Sequence, residues 1–203
     1  MEDAALVAEL ISAHGAHTII LYGSRARGDA TPESDIDVAT FAEVETTKRD
    51  ARLWNGMYLD AFVYPTSVAT ASIDDDMLKL RGARVLLDMR GLAAPLLARV
   101  TERDQRGPAA ITDDDRQMRI VWAKKMVERI RRGDVEGHYR AHWVLFQLLE
   151  DYYALRGRWY RGPKAAFASM RTEDPDVFAL FERALAPSVP IESLAALVSV
   201  VSG

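Results

Sequence analysis

Apolar and polar positions follow two different patterns along the chain, and the change between them divides it into two parts. Residues 2–14 carry leucine and isoleucine at the spacing of one helical stripe. After Gly15, β-branched or alternating runs predict strands over residues 18–22, 34–39, 57–64 and 83–89. Helices are expected around the last strand, one beginning near Asp74-Asp75-Asp76 and one over residues 92–100. The N-terminal part is therefore predicted to be an α/β domain.

Beyond Gly107-Pro108 no strand pattern is evident and the apolar spacing is helical. Thr112 precedes three aspartates and predicts a helix start, because its hydroxyl can cap the helix and acids favour the positive end of the helix dipole. Further helices are expected over residues 135–156 and after Pro163, Pro175 and Pro190. The apolar stripes expected in the core are Met118, Trp122, Met126 and Ile130, and then Leu145, Leu148, Leu149 and Tyr152.

The length of 203 residues is enough for two small domains. The patterns predict an α+β fold, with a mixed-sheet α/β domain over residues 1–107 and an all-helical bundle over residues 108–203. The change of character near residue 107 sets this boundary.

The composition excludes several classes of protein and site. There are no cysteines, so neither disulfides nor thiolate zinc sites can form. A net charge of −4 gives no electrostatic footprint for a nucleic-acid duplex. The start Met1-Glu2-Asp3 is acidic, unlike a signal peptide, and no apolar run is long enough to span a bilayer. A cytoplasmic protein without a membrane partner is expected.

Two aspartates on one predicted strand indicate a cation site. Asp35 and Asp37 stand two residues apart, so on a strand their side chains project from the same face. Adjacent carboxylates repel each other unless a cation lies between them, and Mg²⁺ prefers oxygen ligands of this kind. Asp60 lies in the middle of another predicted strand among apolar neighbours. A buried charge there is costly unless a metal or a cationic partner offsets it.

A glycine turn lies just before these aspartates in the sequence. Gly23 follows a buried strand and lacks a Cβ, so a phosphate could approach its backbone closely. Ser24 adds a hydroxyl, and Arg25 and Arg27 add positive charge nearby. The residues favour a triphosphate site beside a carboxylate pair.

These residues resemble the signature of the DNA polymerase beta-type nucleotidyltransferase superfamily. That signature is an apolar residue, Gly-Ser, a spacer and Asp-x-Asp between apolar residues, with a third acid on a later strand. Here the spacer is residues 25–34. The run Gly-Ser-Arg-Ala-Arg-Gly, followed by Ser-Asp-Ile-Asp-Val, is most similar to the small-molecule branch, which includes aminoglycoside nucleotidyltransferases with a helical C-terminal domain.

The resemblance implies a role for each motif residue. Gly23 and Ser24 would hold the phosphates of an NTP, expected to be ATP. Asp35, Asp37 and Asp60 would be the catalytic acids and the ligands of two Mg²⁺ ions. Residues 1–107 would be the catalytic domain.

Three further residues are candidates on weaker grounds. Arg27 is expected to contact the nucleotide phosphates, with a solvated loop charge as the alternative. Lys164 follows Trp159-Tyr160 and Pro163, where a cation beside helix amides could bind phosphate. Glu150 could act as general base for the acceptor hydroxyl, or it could simply be a solvated residue on a helix face.

The expected reaction is transfer of an NMP, expected to be AMP, from an NTP to a hydroxyl of a small molecule, with an aminoglycoside-like antibiotic as the leading acceptor. One alternative is an antitoxin that adenylylates a partner protein. Another is a catalytically inactive nucleotide-binding protein. Because such enzymes include two-chain sites, the resemblance also allows a homodimer.

Overall fold

The computed structural model describes residues 2–186, so the helix predicted after Pro190 lies outside the described residues. The chain divides into two compact units, Met1–Arg106 and Gly107–Gly203. Within the described range, no helix is both long and apolar enough to cross a membrane.

The N-terminal unit is built on a five-stranded mixed sheet. Its elements are α1 (Glu2–His14), β1 (Thr18–Tyr22), α2 (Gly23–Arg27), β2 (Ile36–Ala42), β3 (Lys48–Trp54), β4 (Met57–Pro65), β5 (Arg84–Asp88) and α3 (Ala93–Gln105), with 3₁₀ turns at Thr66–Ala69 and Asp75–Leu80. The strand order is β3-β4-β2-β1-β5. The neighbours β2 and β4 are parallel, and the other neighbouring pairs are antiparallel. The α+β class is confirmed.

One face of the sheet is covered by α1. Leu6 and Leu10 of this helix pack on alternate strand residues that are all buried. These strand residues are Ile19, Leu21, Ile36, Val38, Leu59 and Ala61. Because strand side chains alternate in direction, burying this set sends the intervening residues to the opposite face. That opposite face carries the polar residues of the candidate site.

Strand β3 is an element that the sequence patterns did not predict. It is an edge strand whose residues are mostly charged and exposed, so it lacks the apolar alternation of a half-buried strand. A two-residue hairpin joins it to β4, with Asn55 at φ 50° and Gly56 at φ 80°. Asn-Gly between apolar residues is a strong hairpin signal, and it was available in Trp54-Asn55-Gly56-Met57.

The acids near the last strand of the sheet cap helices. The Asp74 carboxylate accepts a hydrogen bond from the Met77 backbone N–H at 3.1 Å and begins the second 3₁₀ turn. The two oxygens of Asp88 accept the backbone N–H groups of Leu92 and Ala93, both at 2.9 Å. The Asp74 contact confirms the helix start that was predicted near Asp74-Asp75-Asp76.

The C-terminal unit is helical throughout its described part. Its helices are α4 (Asp113–Ile130), α5 (Val135–Ala154), α6 (Pro163–Glu173) and α7 (Pro175–Ala184). Thr112 caps α4 by accepting the Asp115 backbone N–H, as predicted. Pro163 and Pro175 occupy first-turn positions of their helices, also as predicted.

Part of the predicted helical core is exposed. Met118 is 61% exposed and Leu148 is 36% exposed, although both were expected to be buried. Two other members of the predicted stripe do lie inward: Met126 is buried, and Trp122 of α4 forms an edge-to-face pair with Trp143 of α5, with ring centroids 5.5 Å apart. The prediction is wrong for Met118 and Leu148 because apolar residues surround α4 and α5 on more than one side, so spacing alone does not select the buried face.

Candidate active site on the sheet face opposite α1

The parallel pairing of β2 with β4 places two carboxylates side by side. Asp37 and Asp60 are direct register partners, between Ile36↔Leu59 and Val38↔Ala61. Register partners on neighbouring strands project from the same face, so both carboxylates leave the face opposite α1. The third predicted acid, Asp35, is exposed and directly precedes β2.

The charges of these acids act on one another. Burial raises the pKa of the Asp37 carboxyl, and the negative charges of Asp35 and Asp60 raise that pKa further. Arg27 and Lys79 act in the opposite direction without cancelling the effect. The nearby positive charges therefore do not offset the burial and the negative charges that act on the half-buried Asp37 carboxylate.

Gly23 touches the Asp37 carboxylate directly. This glycine has φ 71°, and a Cβ added to it would lie 3.1 Å from the Asp37 carboxyl carbon and collide with Oδ2. Two constraints therefore exclude a side chain at this position: the left-handed backbone and the adjacent carboxylate. Ser24, the next residue, is half-buried in the first turn of α2. The Gly-Ser turn and the acid pair thus form one continuous surface.

The two arginines of the Gly-Ser loop have different surroundings. Arg25 donates to the backbone carbonyls of Ser34 and Asp35 at 2.9 and 3.1 Å, so it holds the loop that leads into β2. Arg27 is exposed and lies 3.4 Å from the Asp29 carboxylate. Its charge still reaches Asp37, because it lowers the pKa of that carboxyl. Arg27 is therefore better placed than Arg25 to contact a phosphate, because it is exposed and does not bind the backbone carbonyls of the loop.

Arg49 was not predicted as a site residue. It lies on β3 opposite Phe62, diagonal to Asp60, and its guanidinium donates two hydrogen bonds to the Asp60 carboxylate at 2.7 and 2.8 Å. This is the cationic partner that the sequence left open as an alternative to a metal for Asp60. The two-residue turn at Asn55-Gly56 sets the register of β3 on β4, and this register puts Arg49 diagonal to Asp60.

Lys79 is a second residue that the sequence did not indicate. It lies in the second 3₁₀ turn, is half-buried, and its ammonium lies 3.8 Å from the centroid of the Phe62 ring. Burial lowers the pKa of Lys79, whereas the charges of Asp76 and Asp60 oppose that shift. No sequence pattern links this lysine to the acids, because the contact depends on how the chain after β4 folds back onto the sheet.

Glu150 and Lys164 belong to the C-terminal unit and are not part of the site within residues 2–106. Glu150 is exposed on α5, and its charge raises the pKa of Tyr160 after the larger effect of burial. Lys164 is exposed in the first turn of α6. A cavity of about 510 Å³ in this unit is lined by residues just before Lys164, including Trp159 and Arg161. The catalytic role of Glu150 and the nucleotide contact of Lys164 stay predictions.

The N-terminal part of the chain matches a known family model. Residues 6–87 match the model described as a nucleotidyltransferase domain, a stretch that contains Gly23, Ser24 and all three aspartates. The match supports the nucleotidyltransferase superfamily. It therefore supports a transferase that moves nucleoside monophosphates, without specifying the small-molecule branch.

One solved structure shows a distant likeness to this chain. The structure is similar to a nucleotidyltransferase-like protein from Exiguobacterium sibiricum 255-15, with 15% sequence identity and a TM-score of 0.41 over 94% of this chain and 68% of that one. At this distance the likeness carries no argument about function. No curated protein matches the sequence significantly.

The donor atoms of the site fit Mg²⁺, which commonly takes one or two carboxylates and completes its shell with water and substrate phosphates. Asp37 and Asp60 supply adjacent oxygens, and the raised pKa of Asp37 reflects negative charge that a cation would offset. Within residues 2–186, no group of three acidic or histidine side chains converges closely enough to hold an ion by itself. An ion here would complete its shell with oxygens from water and the substrate.

We predict that Gly23→Ala destabilises the N-terminal unit more than Gly15→Ala does. Both glycines have a positive φ, but an added Cβ at Gly15 meets nothing within 4 Å. Gly15→Ala should cost about 1–2 kcal/mol from backbone strain alone. Gly23→Ala should cost roughly 1–3 kcal/mol more because of its collision with Asp37. Urea unfolding measures both values, and equal losses would show that the Gly23–Asp37 contact is not tight.

We predict that Asp37→Asn raises the melting temperature at pH 7 in the presence of EDTA. The folded pKa of Asp37 is raised, so its stabilising contribution is present at acidic pH and lost as the pH rises through the raised pKa. Ionised Asp37 therefore costs stability at pH 7, and the uncharged carboxamide of the variant removes that cost. The gain should shrink as the pH falls towards the unfolded carboxyl pKa of about 4. Asp35→Asn, at an exposed position, is the control and should change the melting temperature less.

Proposed function

We propose that this protein transfers a nucleoside monophosphate, with ATP as the first donor to test, from an Mg²⁺-bound NTP to a hydroxyl of a small molecule. The observation that carries the proposal is the Asp37–Asp60 register pair, which lies against the Gly23-Ser24 turn. A turn that holds phosphates would place them next to carboxylates that hold the metal. The family match over residues 6–87 supports the same chemistry.

The proposed reaction divides among residues on the sheet face opposite α1. Gly23 and Ser24 would hold the nucleotide phosphates, and Asp35, Asp37 and Asp60 would hold the cations. Mg²⁺ bound there would supply Lewis-acid chemistry that favours the deprotonated acceptor hydroxyl and the leaving pyrophosphate. The acceptor oxygen forms a bond to the α-phosphorus, and the bond from that phosphorus to the bridging oxygen breaks. Pyrophosphate leaves with the electron pair, and Asp60 is the proposed acceptor of the hydroxyl proton.

A cationic acceptor suits the charges of this face. Asp35 is exposed and Asp37 is half-buried, and neither carboxylate has a cationic nitrogen within 4 Å in the part of the chain that the structure describes. A hydroxylated molecule carrying several amines would be attracted to this negative surface. An aminoglycoside-like antibiotic therefore remains the leading acceptor.

We predict that Asp37→Asn abolishes pyrophosphate release in a screen of hydroxylated acceptors against each NTP with Mg²⁺. Loss of a metal ligand should reduce kcat by at least about 100-fold, since metal stabilisation of the transition state is worth several kcal/mol. Asp3→Asn is the matched control, because Asp3 pairs with Arg84 at the surface of the same unit. Turnover by Asp37→Asn at the rate of the control would refute the assignment. Wild-type binding of Mg²⁺-ATP without turnover of any acceptor would favour an inactive nucleotide-binding protein.

We predict that Arg49→Met lowers the Mg²⁺ concentration needed for half-maximal binding. The Arg49 guanidinium occupies both oxygens of Asp60, so a metal ligand role for Asp60 requires this ion pair to break. Arg49 is 56% exposed, and solvent weakens an ion pair of this kind, so the change in Mg²⁺ affinity should be only about 2- to 5-fold.

The control for this prediction is Arg52→Met. Arg52 lies on the same strand and pairs with Glu9 and Asp50 instead of Asp60. Calorimetric titration of Mg²⁺ should leave Arg52→Met unchanged. A weaker Mg²⁺ affinity in Arg49→Met would mean that the guanidinium supports the metal site rather than competing with it.

A further inference from the structure

The ammonium of Lys79 is held over three aromatic rings. It lies 3.8 Å from the centroid of Phe62, 5.4 Å from that of Tyr64 and 5.9 Å from that of Tyr22. The side chain is half-buried, so much of its rotamer freedom is already lost in the folded protein. Lys79 is thus a fixed cation, unlike a solvated surface lysine.

The three rings locate this cation relative to the acids. Phe62 follows Asp60 by two residues on β4, so both side chains leave the same face of the sheet. Tyr22 is the register partner of Asp37 and directly precedes Gly23. The Lys79 ammonium therefore lies on the face that carries the acid pair, over rings that flank both carboxylates and the Gly-Ser turn.

Lys79 has no ion-pair partner of its own in the described part of the chain. No carboxylate there lies within 4 Å of its ammonium, which instead contacts the rings. The other cations behave differently: Arg49 is bound to Asp60 and Arg25 to backbone carbonyls. Asp76, Asp60 and Asp74 act on this ammonium only from beyond ion-pair distance, so it can still form a direct contact with an arriving anion.

We propose that Lys79 binds a phosphate group of the nucleotide and is a further substrate-contacting residue of the site. The proposal rests on the proposed function, because it takes the phosphates to lie at the Gly23-Ser24 turn. Tyr22 directly precedes that turn, and the Lys79 ammonium lies 5.9 Å from the centroid of its ring. The rings hold the ammonium in place before the anion arrives, which reduces the ordering that binding requires.

The test compares Lys79→Met, Lys79→Arg and Lys48→Met by calorimetric titration with inorganic tripolyphosphate and by steady-state kinetics. Lys79→Met removes the charge and keeps an apolar chain on the rings, whereas Lys48 is an exposed lysine on the edge strand β3. Loss of a hydrogen bond from a charged donor should weaken tripolyphosphate binding by about 10- to 100-fold in Lys79→Met. The KM for the NTP should rise correspondingly. Lys79→Arg should stay within a few-fold of the wild type, and Lys48→Met should be unchanged.

A measurement on the unaltered protein keeps the proposal testable if a variant does not fold. Reductive methylation of the wild type, followed by peptide mass analysis, should show that tripolyphosphate slows modification of Lys79 and leaves Lys48 unaffected. Equal tripolyphosphate affinity in Lys79→Met and the wild type, or no protection of Lys79, would overturn the proposal. Lys79-dependent binding without turnover of any acceptor would retain the phosphate site and refute only the transfer reaction.

Discussion

The candidate site depends on the register between the parallel strands β2 and β4. Their pairing sets Asp37 beside Asp60, and it is anchored by Val38 and Leu59, which are fully buried under α1. Because side chains alternate along a strand, a slip of one residue would turn one aspartate into the apolar core. The apolar core on one face of the sheet therefore determines where the carboxylates lie on the other face.

The contact between Gly23 and Asp37 joins the turn after β1 to this acid pair. The sequence suggested that a glycine is needed there so that a phosphate can approach, and the structure adds a second reason. The neighbour that excludes a Cβ is the Asp37 carboxylate itself. Glycine at position 23 thus meets two requirements: a left-handed backbone and the absence of a Cβ beside Asp37. The second requirement arises because β1 pairs with β2 and brings Asp37 next to the turn.

The predictable parts of the fold are those with a local cause. Alternation placed Asp60 on a strand, and caps marked the starts of helices such as α4 at Thr112. Edge strand β3 was missed because its charged residues hide the alternation, although Asn55-Gly56 marked the hairpin. Lys79 could not be foreseen, since its position depends on long-range folding of the segment after β4.

Arg49 and Lys79, which the sequence did not indicate, give Asp37 and Asp60 different electrostatic surroundings. Arg49 already neutralises Asp60 through two hydrogen bonds, whereas no cationic nitrogen lies within 4 Å of Asp37 among the residues described. For the proposed metal, Asp37 therefore offers oxygens with no counter-ion to displace, and Asp60 offers them only after Arg49 leaves. Charge balance on this face thus favours an arriving species that carries both signs, such as a cation bound to a polyphosphate, because it can satisfy Asp37 and Lys79 together.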